Sequence, residues 1–382
     1  MIKNLIVSQE IFFWLFLGSL SLSYIFAVNK DVALFQYRNL ILMPISVYFL
    51  MKSLAKDNSF EWHLSRIICY FSLIVVVAGI LEFIFHKNLL YEKFLLNPFY
   101  ERYIYLRRVM STQMHPAVLG TYFLVSFPFA SFLFFCGRNF KERLLGGVTG
   151  VADFLGIFLA FSQSAFWGVF IFLTLYLLKK NRKFYLALVG ILFIFFIFIS
   201  QLSKSFPLLE RFKPSFNKIL YQNQLNYRLD RLSMAFKMLK GHPWVGVGIN
   251  NFRFLFKKYQ YKKEFPYEYK IFEHYYLKRE VSKDVPYEFK IPDNMYLTIF
   301  AETGLLGLFC FLFFISGLLR RAVRTLRIIA QEEREFLFIL ICGFIAILFN
   351  MASYDLFYWH MPLYFFWIYA GLIRGLSFLK NT

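Results

Sequence analysis

The sequence predicts an all-α integral membrane protein of about 10 transmembrane helices, with one large, partly helical extracytoplasmic loop after the seventh. Three observations predict it. Apolar runs of about 20 residues recur along most of the chain, the helix length needed to cross a hydrocarbon layer ~30 Å thick. The composition is 59% hydrophobic and 22% aromatic, with 53 Phe and a mean hydropathy of +0.52; a soluble chain of 382 residues would instead form roughly two water-excluding domains. Short basic loops also alternate with loops that lack Lys and Arg, the charge asymmetry of a cytoplasmic and an outer membrane face.

Taken in order, the expected spans lie near 9–28, 34–53, 64–86, 114–136, 144–161, 163–178 and 184–202, then near 294–319, 335–353 and 358–379. The first run, IFFWLFLGSLSLSYIFAV, has neither a basic leader nor a small-residue cleavage site, so it reads as a retained helix. Cys69, Cys136, Cys310 and Cys342 all fall inside apolar runs, where widely spaced thiols serve packing and suggest neither a disulfide nor a metal site. RNFKER (138–143), KKNRK (179–183) and RRAVRTLR (320–327) are the basic loops expected in the cytoplasm, whereas SQS (162–164) and SYDLFYWH (353–360) carry no Lys or Arg. Alternation from these anchors puts both termini in the cytoplasm and 87–113 and 203–293 outside. The chain then divides into an N-terminal bundle of about seven helices (1–202), the large loop (203–293) and a C-terminal group of about three helices (294–382).

That loop is basic although it lies outside. Residues 203–292 hold 18 Lys and Arg against 8 Asp and Glu, a net +10 and half of the chain's formal +20. Long loops escape the positive-inside bias, so the topology stands. The charge asks for an anionic partner: membrane lipid, a pyrophosphate headgroup or an acidic glycan, with nucleic acid implausible on that side. Within the loop, Leu229, Leu232, Phe236 and Leu239 recur at helical spacing with Arg228 and Arg231 on a flank. Gly241 and Pro243 end that helix. Gly246-Val247-Gly248 then forms a tight turn, and a second amphipathic helix is expected from Ile249 onward. Such a turn either presents backbone N–H groups to a phosphate or is a plain turn. FPYEYK (265–270) and VPYEFK (285–290) repeat further on; they fit a sugar-stacking flap or a coincidence in a Tyr-rich chain.

An ordered set of features then resembles the O-antigen ligase/polymerase superfamily of bacterial membrane glycosyltransferases. TQMHPAVLGTYF (112–123) follows an outer loop, and FSQSAFWG (161–168) sits at a tight outer hairpin. Arg228 followed by HPWVGVGINNF (242–252) lies in the large outer loop, and DNMYLTIFAETGLLGL (293–308) enters the next helix. The resemblance implies a substrate: a glycan on an undecaprenyl-pyrophosphate carrier, transferred to an acceptor glycan or glycolipid outside the cytoplasmic (inner) membrane, in the setting of polysaccharide-assembly partners. It also implies roles. Arg228 matches the external-loop arginine thought to hold the pyrophosphate. Asp293 stands where ligases carry a histidine, followed in both by Asn, here Asn294. The arginine usual in the hairpin is absent, with Gln163 and Ser164 there instead, so Arg231, Arg107 and Arg108 are candidates for the second phosphate contact. The Asp-Asn form resembles polymerase-like branches more than true lipid A-core ligases.

On a continuous helix, Asp293 and Gly304 fall about 20° from eclipsed, with Gly307 about 40° to the other side. One face would then carry a carboxylate at the membrane surface above a glycine-lined groove for a prenyl chain or a neighbouring helix. An ordinary aspartate, with pKa near 3.9, is ionised at neutral pH and can accept the acceptor hydroxyl's proton; alternatively Asp293 caps the helix. Glu302 lies on the opposite face, about 13.5 Å deeper, so it is not the second half of a carboxylate pair. An intramembrane carboxyl is a functional suspect; the alternative is a structural group, protonated or hydrogen-bonded to another helix. With no DxD motif and no histidines at ligand spacing, neither a metal site nor another cofactor is indicated, and arginines must neutralise the pyrophosphate. The expected function is therefore a metal-independent polymerase or ligase of a polysaccharide such as lipopolysaccharide O-antigen or capsule. A polysaccharide or lipid transporter and a noncatalytic assembly scaffold are the rivals.

Overall fold

The computed structural model describes residues 2–57, 59–88, 108–113, 115–180, 183, 186, 190, 218–253, 255 and 292–377. Their regular structure is helical throughout. In order these are α1 (Ile2–Ile25), α2 (Lys30–Tyr37), a π turn (Arg38–Leu42), α3 (Met43–Leu54), α4 (Phe60–Phe85), α5 (Pro116–Cys136), α6 (Phe140–Leu159) and α7 (Gln163–Lys180). After these come α8 (Lys218–Gly241), α9 (Met295–Thr325), α10 (Gln331–Met351), a 3₁₀ turn (Leu356–Tyr358) and α11 (His360–Leu376). The expected spans that fall on described residues are all helical. The span near 184–202 lies almost wholly outside them, as do the two FPYEYK-like repeats. Among the described residues, five helices are long and apolar enough to cross a membrane: Lys30–Leu54, Phe60–Phe85, Pro116–Cys136, Met295–Thr325 and Glu333–Met351. Ile11–Ile25 is apolar but shorter. The protein is thus a helical membrane protein.

The chain forms two compact units. The second comprises 45–216, 318–351 and 356–382. At its centre stands α5, buried along nearly its whole length. Its neighbours come close because small residues face it: a Cβ on Gly146 of α6 would lie 2.4 Å from the Phe134 nitrogen, and one on Gly156 would enter the Phe123 ring. Some buried polar groups of this bundle pair across its helices. Asp153 of α6, fully buried, accepts hydrogen bonds from Ser72 of α4 and, at 2.6 Å, from Ser126 of α5. Tyr369 of α11 donates to the Val125 carbonyl at 2.8 Å.

The first unit comprises 1–44, 217–317 and 352–355. Rings of α1 stack on rings of α9, Phe12 on Phe313 at 5.4 Å and Phe16 beside Phe311 at 5.2 Å. On the other side Met234, Ala235 and Met238 of α8 close a small core with Val247, Phe252 and Ala301. That core corrects the expected orientation of α8. The stripe Leu229, Leu232 and Phe236 is exposed, and the inward face is Arg231, Met234, Ala235 and Met238. The unbranched and small side chains line the inward face, while Phe236, though exposed, reaches the ring of Phe300 on α9 at 5.4 Å.

Candidate functional site

Within α9 the backbone breaks. Gly304 has φ 69° and ψ −168°, a conformation open essentially to glycine alone, so α9 is two helices meeting at a kink. A break strands carbonyls above it and N–H groups below it. The segment 243–248 supplies their partners. Val247 N–H donates to Ala301 O and Gly248 N–H to Glu302 O, both at 3.0 Å. In the other direction Leu305 N–H donates to Pro243 O at 2.9 Å and Leu306 N–H to Trp244 O at 3.2 Å. Ser23 of α1 adds its hydroxyl to Glu302 O at 2.6 Å. Close approach explains the glycines: a Cβ on Gly304 would lie 2.4 Å from Trp244 O, and one on Gly246 would lie 2.3 Å from the Glu302 carbonyl carbon.

Two expectations change here. Gly246 N–H bonds His242 O, and Val247 and Gly248 are committed to α9, so this turn has no free N–H group to present to a phosphate. The kink also removes the single face on which Asp293, Gly304 and Gly307 were expected, because the angular count assumed one continuous helix. The second amphipathic helix begins at Phe252, beyond Ile249, and mostly lies outside the described residues.

Glu302 is hydrogen-bonded to the turn that leads into the helix beginning at Phe252. Its oxygens accept Asn250 N–H at 2.8 Å and Phe252 N–H at 3.1 Å. Asn250 is left-handed at φ 62° and accepts from Arg253 Nε at 2.6 Å. The corner between α1 and α2 is tied to the same loop by reciprocal bonds. Asn29 N–H donates to Asn251 Oδ1 at 2.9 Å, and Asn251 Nδ2 donates to Asn29 O at 3.2 Å. The INNF run was visible in the sequence, but nothing there marked its partners.

A second cluster stands at the start of α9. The helix begins at Met295, and its cap is Asn294: Oδ1 accepts Leu297 N–H at 3.0 Å. Asp293 lies one residue earlier, half-buried and left-handed at φ 54°, so it does not cap the helix. Asn294 also donates Nδ2 to Ala352 O at 2.9 Å, which engages both ends of its amide and draws the loop 352–355 onto the helix start. Thr298 then donates its hydroxyl to Asp355, a fully buried residue. Burial first, and the neighbouring charge of Asp293 second, push the Asp355 carboxyl up to about 8, against hydrogen bonds from Thr298 and the Asp293 backbone that favour its ionised form. A half-buried carboxyl and a buried one thus stand near each other, and burial holds the second toward its neutral form. Asp355 was missed in the sequence. Its only signal was a lone carboxylate in an otherwise uncharged loop.

The remaining predicted residues divide between the units. Arg228 is on the exposed face of α8, and Arg231 is turned inward, 3% exposed beside Met234. Gln163, exposed, opens α7 in the second unit. There the SQS hairpin is held by Asn350, which donates to Ser164 at 3.0 Å and accepts from Thr121 at 3.1 Å. Arg108 is half-buried and donates Nε to Ala160 O at 3.2 Å, serving the carbonyl end of α6. Arg107 lies outside the described residues.

Residues 148–312 match the family model described as O-antigen ligase. The match includes Gln163, Arg228, the 243–248 segment, Asp293 and Glu302, and stops before Asp355. No curated protein matches the chain.

Proposed function

From the premise that residues 148–312 carry the O-antigen ligase domain, we propose that this membrane protein is a metal-independent glycosyltransferase acting at the outer face of the bacterial cytoplasmic membrane. It would be a multi-pass protein of about 10 helices with both termini in the cytoplasm. The donor is a glycan on undecaprenyl pyrophosphate, and the acceptor is a sugar hydroxyl of another glycan or glycolipid. A polymerase of an O-antigen or capsule repeat is favoured over a lipid A-core ligase, on the Asp293-Asn294 pair where ligases of the resembling family carry His-Asn.

The observation that carries the reading is the unequal carboxyl pair. As the acceptor oxygen bonds to the anomeric carbon, its proton passes to the Asp293 carboxylate. The anomeric carbon–oxygen bond breaks, and its electron pair leaves with the pyrophosphate. Asp355, whose burial favours its neutral form, limits the negative charge beside Asp293. Arg228, exposed on α8, is the residue available to meet the leaving pyrophosphate with a bidentate fork. Arg231 faces the interior, so the phosphate contact rests on Arg228. The absence of a DxD motif supports arginine over a metal as counter-charge.

The test is the glycan profile of a strain lacking the protein. Surface polymer collapsing to single repeats supports a polymerase, and full-length chains left on the carrier support a ligase. An unchanged profile contradicts both.

A further inference from the structure

The loop expected in water holds a stretch that the fold ties to a membrane helix. Pro243 and Trp244 carbonyls accept the N–H groups of Leu305 and Leu306. Leu306 lies well inside Met295–Thr325, a helix long and apolar enough to cross a membrane, and so within the hydrocarbon layer of ~30 Å that such a helix spans. Irregular backbone at that depth survives only when its polar groups are paired, and here the kink pairs them. Trp244 is nevertheless 70% exposed, and Phe236 on the preceding helix is 53% exposed. Phe236 meets the ring of Phe300 at 5.4 Å, and the exposed Leu229 and Leu232 continue its stripe. Below Trp244 the exposed Leu306, Phe309 and Phe313 run down α9 as its apolar outer face. Both stripes and the indole are exposed apolar surface, joined by the Phe236–Phe300 ring contact, and Lys240, four residues before Trp244, is exposed as well.

We infer that residues 243–248 form a re-entrant insertion, and that Trp244, Phe236 and the α8 stripe contact the acyl chains of the bilayer. The occupant is lipid because the surface is continuous with the outer face of a helix that crosses the membrane, at a depth fixed by backbone hydrogen bonds. An indole beside a basic side chain suits the headgroup boundary. The inference holds whether or not the catalytic reading does.

The test uses the full chain in vesicles of phosphatidylethanolamine and phosphatidylglycerol, with the four native cysteines replaced. Spin labels on Trp244→Cys and Phe236→Cys should collide with dissolved oxygen far more than with a water-soluble nickel chelate, and a label on Lys240→Cys should show a smaller excess. Nickel-dominated collisions at Trp244→Cys, or shelter from both reagents, overturn the proposal; the first means water and the second a protein cover. A second measurement avoids the cysteine variants. Brominated lipids should quench the wild-type indole fluorescence, and Trp244→Phe should lose a distinct share of that quenching; an unchanged share also overturns it.

Discussion

Asp293 sits at φ 54°, where most side chains are strained but Asp, Asn and His are enriched. Asp, Asn and His therefore all suit this backbone, and a substitution series among them tests chemistry with little disturbance of the fold. Asp293→Asn should abolish transfer, because the helix cap is Asn294 and only the base is lost. Asp293→His should be partly active, with its activity–pH profile moved up toward an imidazole pKa near 6.5. Chain-length distributions at matched membrane levels read both; an active Asn variant removes the base. Arg228→Lys keeps the charge but not the planar fork, and should lose most of the activity at unchanged protein level. Polymer of ordinary length from Arg228→Ala would take that residue out of the site. Asp355 makes a pH prediction. Its folded pKa is raised from 3.8 to about 8, so between those values the folded protein holds a proton that the unfolded chain has released. Stability should fall as pH rises across that window and level off above it. Asp355→Asn should flatten the thermal-unfolding profile over the same range; a profile equally steep in the variant would place the titration elsewhere.

At the level of elements, the broken α9 is the feature on which the first unit depends. Gly304→Ala would put a methyl 2.4 Å from Trp244 O at a positive φ, a cost of roughly 3 kcal/mol or more. It should lower the unfolding temperature, and Glu302→Gln should do so more mildly, by roughly 2 kcal/mol as charge-assisted bonds to Asn250 and Phe252 weaken. Equal melting of Gly304→Ala and wild type in detergent would deny the interlock. The helices themselves were legible in the sequence, since a run such as LTIFAETGLLGLFCFLFF must satisfy its backbone internally once in lipid. The break was not legible. A glycine in an apolar run ends a helix only when another segment supplies hydrogen bonds, and here that segment lies about sixty residues earlier in the chain. The inward face of α8 was misjudged for a related reason. Periodicity finds the large apolar residues, but in a membrane these can face lipid as readily as a core. For the site, Asp293 and Asn294 were legible by resemblance, whereas Asp355 is brought to them by the Ala352 and Thr298 contacts, which leave no local mark.

For the whole molecule, the proposed function requires Asp293, Asp355 and Arg228 to face the side on which a carrier-linked glycan would be displayed. The basic loops predict that side. Leu220→Cys and Lys270→Cys should react with an impermeant thiol reagent in intact spheroplasts, and Asn181→Cys should not. The reverse pattern would place the site in the cytoplasm and end the mechanism. The most direct measurement is transfer by the purified full chain in vesicles supplied with an undecaprenyl-pyrophosphate-linked repeat. The wild type should build carrier-linked polymer and release undecaprenyl pyrophosphate, with both products lost in Asp293→Asn at equal protein and equal thermal stability. Polymer and released carrier from Asp293→Asn at the wild-type rate would contradict the account.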